Sequence, residues 1–192
     1  MIKLPSSFEL DRYGLHVRLV REDDAEFIVK LRTSEYNSQF LHETSANVEE
    51  QVLWLQAYKR REDEGSDYYF VFEYNGKKVG VARLYGIDGE NYTHGSWVFV
   101  NEAPSFCAVA SAIICREIAF NVLGLLSESN MRDGIDARNK NIINFQKLLG
   151  MEILGERMEG DRKFLYGKLT KESYEKHKPK VLRFIPKDYQ NL

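Results

Sequence analysis

The chain has 192 residues, of which 43% are hydrophobic and 29% are charged, and its formal net charge is −2. This length predicts one compact domain with a sizeable core, and the composition excludes an intrinsically disordered chain. The near-neutral charge argues against a broad nucleic-acid interface, which would be basic. No uninterrupted run of about 18 apolar residues is present, and the first residues lack the apolar core of a signal peptide. We therefore expect a cytoplasmic protein without nucleic-acid or membrane partners.

The two cysteines, Cys107 and Cys115, are eight residues apart in one predicted helix. Eight helical residues span about 12 Å, which is too far for a disulfide. No C-x-x-C or similar metal-binding pattern occurs, so no metal cofactor is expected. Both cysteines are interpreted as small buried residues.

The first half of the chain predicts a strand, two helices and a hairpin. Residues 15–21 alternate in polarity as a strand does, and the acids after them begin a helix. Residues 47–65 form a longer helix, with Asn47 as its N-cap and Gly65 at its end. Asn75-Gly76 lies between two β-rich runs, which is the strongest short-range signal for a hairpin.

The second half predicts one further strand, two helices and a second hairpin. Residues 93–100 read as a strand that leads into a helix over 107–122, and 133–137 as a short strand end. Residues 139–150 predict a helix that ends at Gly150, and 152–170 a hairpin around Glu159-Gly160-Asp161. We interpret 1–170 as a single domain and 171–192 as a C-terminal extension, either an extra strand or an arm.

The predicted element order is β-α-α-β-β-β-α-β-α-β-β, which gives an α+β fold of mixed αβα layers. Hairpins next to a β-loop-α-β unit predict a twisted mixed sheet, antiparallel first and parallel around the helix at 107–122, with helices on both faces.

This order resembles that of the GNAT N-acetyltransferases over residues 15–170. The most specific local piece is residues 139–156 (NKNIINFQKLLGMEILGE), in which five residues match the family in type and spacing: Asn139, Ile143, Phe145, Gly150 and Met151. The resemblance implies the GNAT acyl-CoA N-acyltransferase fold and acetyl-CoA as cosubstrate. Within the family, residues 23–85 are similar to the branch of ribosomal-protein, spermidine and nucleotide-linked amino-sugar acetyltransferases.

The family's pyrophosphate loop, Q/R-x-x-G-x-G/A, falls on residues 105–110 (SFCAVA). Ala108 and Ala110 occupy the glycine positions and Ser105 the Gln/Arg position. Such a loop needs backbone N–H groups at a helix N-terminus, and alanine can supply them if its φ is helical. A small-residue helix start that binds nothing would have the same sequence. The resemblance implies a cofactor site formed by Val98, Phe99, Val100, Cys107, Ala108, Val109, Ala110, Ser111, Asn139 and Gln146.

Acetyl transfer requires that the amine lose a proton, the thioester carbonyl be polarised and the thiolate be neutralised. In the family a strand that diverges from its neighbour supplies backbone groups, here an N–H near Phe99 or Val100 and a gap between 95–100 and 133–137. His94 and Glu102 are the candidate bases, with a surface histidine and a solvated loop acid as the alternatives. The family's thiolate-protonating tyrosine falls on Gln146, which cannot act as an acid.

The acceptor is predicted to be a small molecule with a primary amine, most readily a nucleotide-linked amino sugar. Protein N-terminal and polyamine substrates are the alternatives, together with a non-catalytic coenzyme A-binding protein and an unrelated α+β domain. A homodimer is left open. The first two helices should wall the acceptor site, whose candidate residues are Arg32, Tyr36, Tyr85, His42 and Trp54; core packing or a solvated helix face is the alternative for several of them.

Overall fold

The computed structural model of the chain describes residues 2–38 and 45–190, and the side chains of Tyr36 and Ser38 are outside that description. The strands are β1 (Glu9–Arg12), β2 (Leu15–Leu19), β3 (Asp67–Tyr74), β4 (Lys77–Asp88), β5 (Asn91–Phe99), β6 (Ser127–Ser129), β7 (Ile135–Asp136), β8 (Glu152–Glu159) and β9 (Arg162–Thr170). The helices are α1 (Ala25–Thr33), α2 (Glu35–Ser38), α3 (Val48–Glu64), α4 (Ser105–Glu117), α5 (Lys140–Leu148) and α6 (Lys171–Leu182).

The strands form one open, mixed sheet. Its order is β1-β2-β3-β4-β5-β6-β9-β7, and β8 also pairs with β9. The pair β5–β6 is parallel, and the other described pairs are antiparallel. The prediction of an antiparallel first part and a parallel connection around α4 is confirmed.

Local sequence signals account for several element ends. Asn75 and Gly76 have φ values of 49° and 71°, the left-handed conformation that a two-residue hairpin turn requires. Asn47 caps α3 by accepting hydrogen bonds from the N–H groups of Glu49 and Glu50. Gly65 ends α3 with φ of 80°.

Each face of the sheet buries its own apolar cluster. One face packs on α4 and α6 through residues such as Phe70, Leu84 and Ile113, and the other packs on α1 and α3 through residues such as Leu55 and Val71. The predicted α+β class with helices on both faces is therefore confirmed.

The helix that begins with α4 is the most apolar part of the chain. It continues into a π-helical turn at Ile118–Val122. By length and composition alone the segment Ser105–Val122 could cross a membrane, but 67% of it is buried inside the protein, as in the core helix of a folded domain.

Three elements differ from the sequence prediction. β1 and β6 were not predicted, because strands of four and three residues are too short to show a period. The tail contains a helix, α6, where an extra strand or an arm was expected. Thr170 caps α6 by accepting from the Ser173 N–H (3.1 Å), and Pro179 lies inside the helix, where a sequence pattern would predict its end.

Candidate active site

A gap opens in the sheet between β5 and β6. These two strands pair only at Asn91 with Ser127 and at Tyr92 with Glu128. Beyond Thr93, no described residue of β6 or β7 pairs with β5, because β7 pairs with β9. The predicted gap is therefore present, but the parallel partner of β5 is β6 rather than residues 133–137.

A β-bulge marks the same stretch of β5. The register with β4 shifts between the pairs Val81–Val98 and Arg83–Gly95, and Ser96 has φ of 46°. Bulges bend a strand and redirect its side chains, and they are frequent next to active sites. The bend lies where β5 separates from β6.

Helix α4 begins at one end of the gap. Its N-cap, Pro104, has no side-chain oxygen, so no described side chain caps the first-turn N–H groups, although Cys107 N–H bonds to Pro104 O (2.9 Å). Ala108 and Ala110 lie within α4 and have no positive φ. Both alanines therefore adopt their backbone conformation without strain. This meets the requirement, stated from the sequence, that their φ be helical.

The two N–H groups predicted to contact the cofactor, those of Phe99 and Val100, are directed to opposite sides of the strand. Val100 donates its N–H to Val79 O (2.8 Å), so this group is directed towards β4. Because neighbouring residues in a strand direct their N–H groups to opposite sides, the Phe99 N–H is directed towards the open side. Phe99 O accepts a hydrogen bond from Asn37 Nδ2 (3.1 Å). Of the two predicted donors, the Phe99 N–H is therefore the one that faces away from β4. The side chain of Val98, also predicted at the cofactor site, is buried and packs on the α1/α3 face.

A cleft of about 490 Å³ opens on the α1/α3 face of the sheet, beside the bulge. We call it the acceptor cleft. It contains three arginines and two carboxylates, and its lining residues are Arg32, Ser45, Asn47, Glu50, Gln51, Trp54, Tyr69, Arg83, Tyr85, Ser96, Arg132 and Asp133. Of the predicted acceptor residues, Arg32, Trp54 and Tyr85 lie here. His42 and the side chain of Tyr36 lie outside the described residues.

Solved structures share this fold. A nucleotide-linked sugar GNAT named FdhC, in its apo form, is 27% identical, with a TM-score of 0.79 over 94% of this chain and 99% of that one. RimJ of Mycobacterium smegmatis, in complex with CoA-disulfide, is 16% identical, with a TM-score of 0.73 over 95% and 91%. A mutant of the spermidine N-acetyltransferase SpeG of Vibrio cholerae is 15% identical, with a TM-score of 0.69 over 84% and 96%. No family model and no curated protein sequence matches the chain.

The chain has the fold of the GNAT acyltransferases. The family resemblance, the fold and the enzyme class predicted from the sequence are confirmed.

Several of the predicted cofactor residues are used for packing. Cys107 and Ala110 are buried in the core under α4, while Ala108 and Val109 are half-buried. Ser111 is buried, and its hydroxyl accepts from Trp97 Nε1 (2.9 Å) and donates to Ala108 O (2.8 Å). The Trp97 side chain, which no sequence pattern marked, therefore ties β5 to α4 beside the gap.

Gln146 belongs to a buried polar cluster beside the gap. Arg116, fully buried, donates from Nη2 to Gln146 Oε1 (2.9 Å) and to Glu128 Oε1 (2.8 Å). Tyr92 Oη donates to Glu128 Oε2 (3.2 Å). Arg116 thus fixes the orientation of the Gln146 amide. Asn139, predicted at the cofactor site, caps α5 by accepting from the Ile142 N–H (3.3 Å).

The two predicted bases lie outside the acceptor cleft. His94 pairs with Leu84 across β4, so its side chain is on the α4 face of the sheet. It is buried rather than exposed, and burial, followed by the charge of Arg116, holds its pKa well below the usual value. His94 Nε2 has no described hydrogen-bond partner. Glu102 is exposed in the turn after β5.

Charged side chains on the cleft floor are held by hydrogen bonds. Arg83 Nε donates to Asp67 Oδ1 (2.7 Å), and the Arg83 guanidinium lies 5.0 Å from the centre of the Trp54 ring. Arg32 Nη1 donates to Ser96 Oγ (3.5 Å), which joins α1 to the bulge. The floor therefore holds two fixed guanidinium groups with aromatic neighbours, and that of Arg83 is paired with the Asp67 carboxylate.

Tyr85 and Asp133 meet at the end of the cleft nearest the gap, where Tyr85 Oη donates a hydrogen bond to Asp133 Oδ2. The sequence prediction included Tyr85 but missed Asp133, Arg83 and Arg132. Side chains alternate between the two faces of a strand, so residues 83 and 85 of β4 share a face. This alternation could have indicated that Arg83 lies beside Tyr85. Arg132 and Asp133 lie in a loop, where no period marks the functional face.

Proposed function

We propose that this GNAT protein transfers an acetyl group from acetyl-CoA to the primary amine of a nucleotide-linked amino sugar, by direct transfer in a ternary complex. The observation that carries the proposal is the charge of the acceptor cleft. Arg32, Arg83 and Arg132 line the cleft with Glu50 and Asp133. Arg83 and Arg61 share the buried carboxylate of Asp67, so the cleft and its floor together keep an excess of one positive charge beside three aromatic side chains.

A nucleotide-linked sugar fits this cleft because its diphosphate is anionic and its base is flat. A guanidinium group can donate two parallel hydrogen bonds to the oxygens of one phosphate. An aromatic ring can stack on the flat face of any base. Trp54 is 36% exposed and lines the cleft, so part of its indole is accessible. A polyamine has the opposite charge and would need an excess of carboxylates. The similarity to a nucleotide-linked sugar GNAT over 94% of this chain also supports the proposal.

The residues beside the gap fit an acyl-CoA. The first-turn N–H groups of α4 would hold the pyrophosphate, since a helix N-terminus binds anions and small side chains at Ala108 and Ala110 allow close approach. The open edge of β5 would bind the amide groups of the pantetheine arm. The bound thioester supplies the activated acetyl group. Phe99 N–H would donate to the carbonyl oxygen and stabilise the charge that develops on it.

The amide of Gln146, oriented by Arg116, lies where the family commonly has tyrosine. An amide N–H can donate a hydrogen bond but cannot give up its proton, so Gln146 would stabilise a thiolate without protonating it. A cytoplasmic location and a homodimer remain predictions that accompany this proposal.

Two measurements test the proposal. Acetyl-CoA at 100 times its Kd should stabilise the protein by about 2.7 kcal/mol, seen as a raised Tm. Thiol release should then be measured with a nucleotide-linked amino sugar, spermidine and a peptide that begins with alanine. We expect the highest kcat/KM with the nucleotide-linked sugar. A raised Tm with faster turnover of spermidine or the peptide contradicts the substrate class, and an unchanged Tm contradicts acetyl-CoA binding.

A further inference from the structure

The hydrogen bond between Tyr85 and Asp133 joins the two sides of the gap. Tyr85 belongs to β4, and Asp133 belongs to the loop between β6 and β7. β5, which diverges from β6, lies between these two elements in the sheet order. The pair therefore connects the acceptor cleft with the strand edge where the cofactor site is proposed.

The bulge of β5 brings the Tyr85 ring against the backbone. A Cβ added at Gly95 would lie 2.9 Å from both Cε1 and Oη of Tyr85, closer than real Cβ contacts. Gly95 is thus required for this approach, and it directly precedes Ser96 at the bulge. The Tyr85 hydroxyl, and with it the Asp133 carboxylate, is held beside the open part of β5.

Asp133 is held as a hydrogen-bond acceptor. Burial, and then the Asp133 carboxylate, raise the pKa of Tyr85, so its hydroxyl remains protonated and donates. The Tyr85 ring is fixed in turn by the Arg83 guanidinium, 4.8 Å from the ring centre. A carboxylate has about four lone-pair positions, so Asp133 can accept from a substrate ammonium while it accepts from Tyr85.

The other acidic or basic groups are less well placed to meet an amine at the bulge. Glu50 is in the first turn of α3, on the helical wall of the cleft. Glu102 lies in the turn beyond the end of β5. His94 is on the opposite face of the sheet. Of the described carboxylates that line the cleft, Asp133 is the one bonded to a residue that contacts the bulge.

We infer that Asp133 is a catalytic residue that receives a proton from the acceptor ammonium, and that Tyr85 is a positioning residue for it. The inference adds a catalytic residue to the proposed function. It rests on that function only in that the acceptor must be an amine. The ammonium gives one proton to the Asp133 carboxylate. The nitrogen lone pair then forms the C–N bond to the thioester carbonyl carbon. The C–S bond breaks and its electron pair leaves with sulfur, which takes up the nitrogen's second proton through water, while the proton on Asp133 returns to solvent. One ammonium and one thioester thus give one amide, one thiol and one free proton.

The test compares Asp133→Asn with a matched control, Asp88→Asn. The amide has the shape of the carboxylate and still accepts from Tyr85, but it cannot take a proton. We expect kcat to fall on the order of 100-fold to 10,000-fold, the usual contribution of a general base, with an unchanged Tm increase on adding acetyl-CoA. Asp88 is exposed at the end of the same strand, β4, and its variant should keep the kcat of the wild type.

Tyr85→Phe tests the positioning role. Removing the hydroxyl should lower kcat about 10-fold and change KM for the acceptor little, because Asp133 remains but is less well oriented. Circular dichroism and the acetyl-CoA Tm increase show whether each variant is folded. If Asp133→Asn does not fold, Asp133→Glu, which keeps the charge and the basicity, should restore the fold and part of the rate.

The outcomes separate this inference from the proposed function. Asp133→Asn that is folded and keeps kcat within about threefold overturns the inference. A wild type that prefers spermidine or the peptide overturns the substrate class only, and the variants are then compared with that acceptor. No turnover by the wild type with any of the three acceptors overturns both.

Discussion

Asp24 is fully buried and accepts hydrogen bonds from several donors. The Arg18 guanidinium donates to both of its oxygens, at 2.8 and 2.9 Å, and the Arg21 N–H donates at 2.8 Å. Lys78 forms an ion pair with the same carboxylate. Burial alone would raise the pKa of Asp24, but these donors outweigh burial and lower it from 3.8 to about 2. The charged form is therefore favoured by folding.

Asp24 should make the protein less stable in acid. Because its folded pKa lies below its unfolded pKa, its contribution to stability is complete above about pH 5 and is lost as the pH falls through about 2. We expect a loss of about 2 kcal/mol from this group in the free energy of unfolding, measured by urea denaturation. Asp24→Asn should be less stable than the wild type at pH 7 and should lack this part of the pH dependence. Asp161→Asn, at an exposed turn, should keep it; an unchanged slope in Asp24→Asn contradicts the assignment.

Single residues of the site could be predicted from the sequence only where they lie on a regular element. Arg32, Trp54 and Tyr85 are on α1, α3 and β4, and the family resemblance implied that the first two predicted helices wall the acceptor site. Asp133 is 48 residues from its partner Tyr85 and lies in a loop, so neither spacing nor period connects the two. The burial of His94 depends on which face of β5 packs on α4, which a single strand with a bulge does not reveal.

Under the proposed function, helix α4 would combine cofactor binding and core packing along its length. Its first turn faces the gap with half-buried Ala108, whereas Ala110, Ile113 and Ile114 are fully buried in the core. A substitution at Ala110 would therefore disturb the core as well as any bound cofactor. Ala108 is the position at which the two roles can be separated.

Ala108→Glu should abolish the stabilisation by acetyl-CoA without unfolding the protein. The added carboxylate would repel a pyrophosphate at the helix N-terminus and occupy its space. The increase in Tm with acetyl-CoA should fall to near zero, and KM for acetyl-CoA should rise at least about 10-fold. Val122→Glu provides the control, because Val122 is 43% exposed at the far end of the same helical segment. An Ala108→Glu variant with the Tm increase of the wild type would show that α4 does not bind the cofactor.

Elements with strong local signals were predicted correctly. Asn75-Gly76, the Asn47 cap and the Gly65 end each act within a few residues, so the sequence specifies them directly. The short strands β1 and β6 depend on pairing with distant partners, and the π-helical turn after α4 depends on packing. These features have tertiary causes and no local sequence signal.

The C-terminal segment belongs to the same folded unit as the rest of the molecule. Tyr174, Val181 and Ile185 are buried in the cluster that also contains Phe120 and Ile113. Tyr174 and Val181 are seven residues apart, so they lie on one face of α6. The predicted boundary at residue 170 therefore does not coincide with a boundary of the core.

Tyr174→Ala should be strongly destabilising. The side chain is fully buried and its ring packs on Phe120 with centroids 5.4 Å apart, so its loss leaves a cavity. We expect the free energy of unfolding to fall by about 3 to 5 kcal/mol in urea denaturation. Phe184→Ala removes an aromatic ring that is 57% exposed in the same segment and should change stability by less than about 1 kcal/mol. Equal effects of the two variants would mean that α6 does not pack as described.

The overall topology could be predicted because each hairpin and each β-α connection follows general rules of chain direction and handedness. The packing of α6 could not, because Pro179 masks its helical period and its apolar residues are few. Prediction therefore succeeded for the mixed character of the sheet, missed its short strands β1 and β6, and failed for α6, which covers part of the core.

The two tryptophans of the sequence lie in different halves of the site. Trp54 lines the acceptor cleft, whereas Trp97 bonds to Ser111 beside the gap and stacks on Phe145, with ring centroids 5.3 Å apart. Each indole is therefore an intrinsic fluorophore for one half. With Trp54 replaced by Phe, the remaining emission would follow events on the α4 side, and with Trp97 replaced by Phe it would follow the arrival of the acceptor. Under the proposed function, the order in which acetyl-CoA and the acceptor bind can thus be read by stopped-flow fluorescence without an attached label.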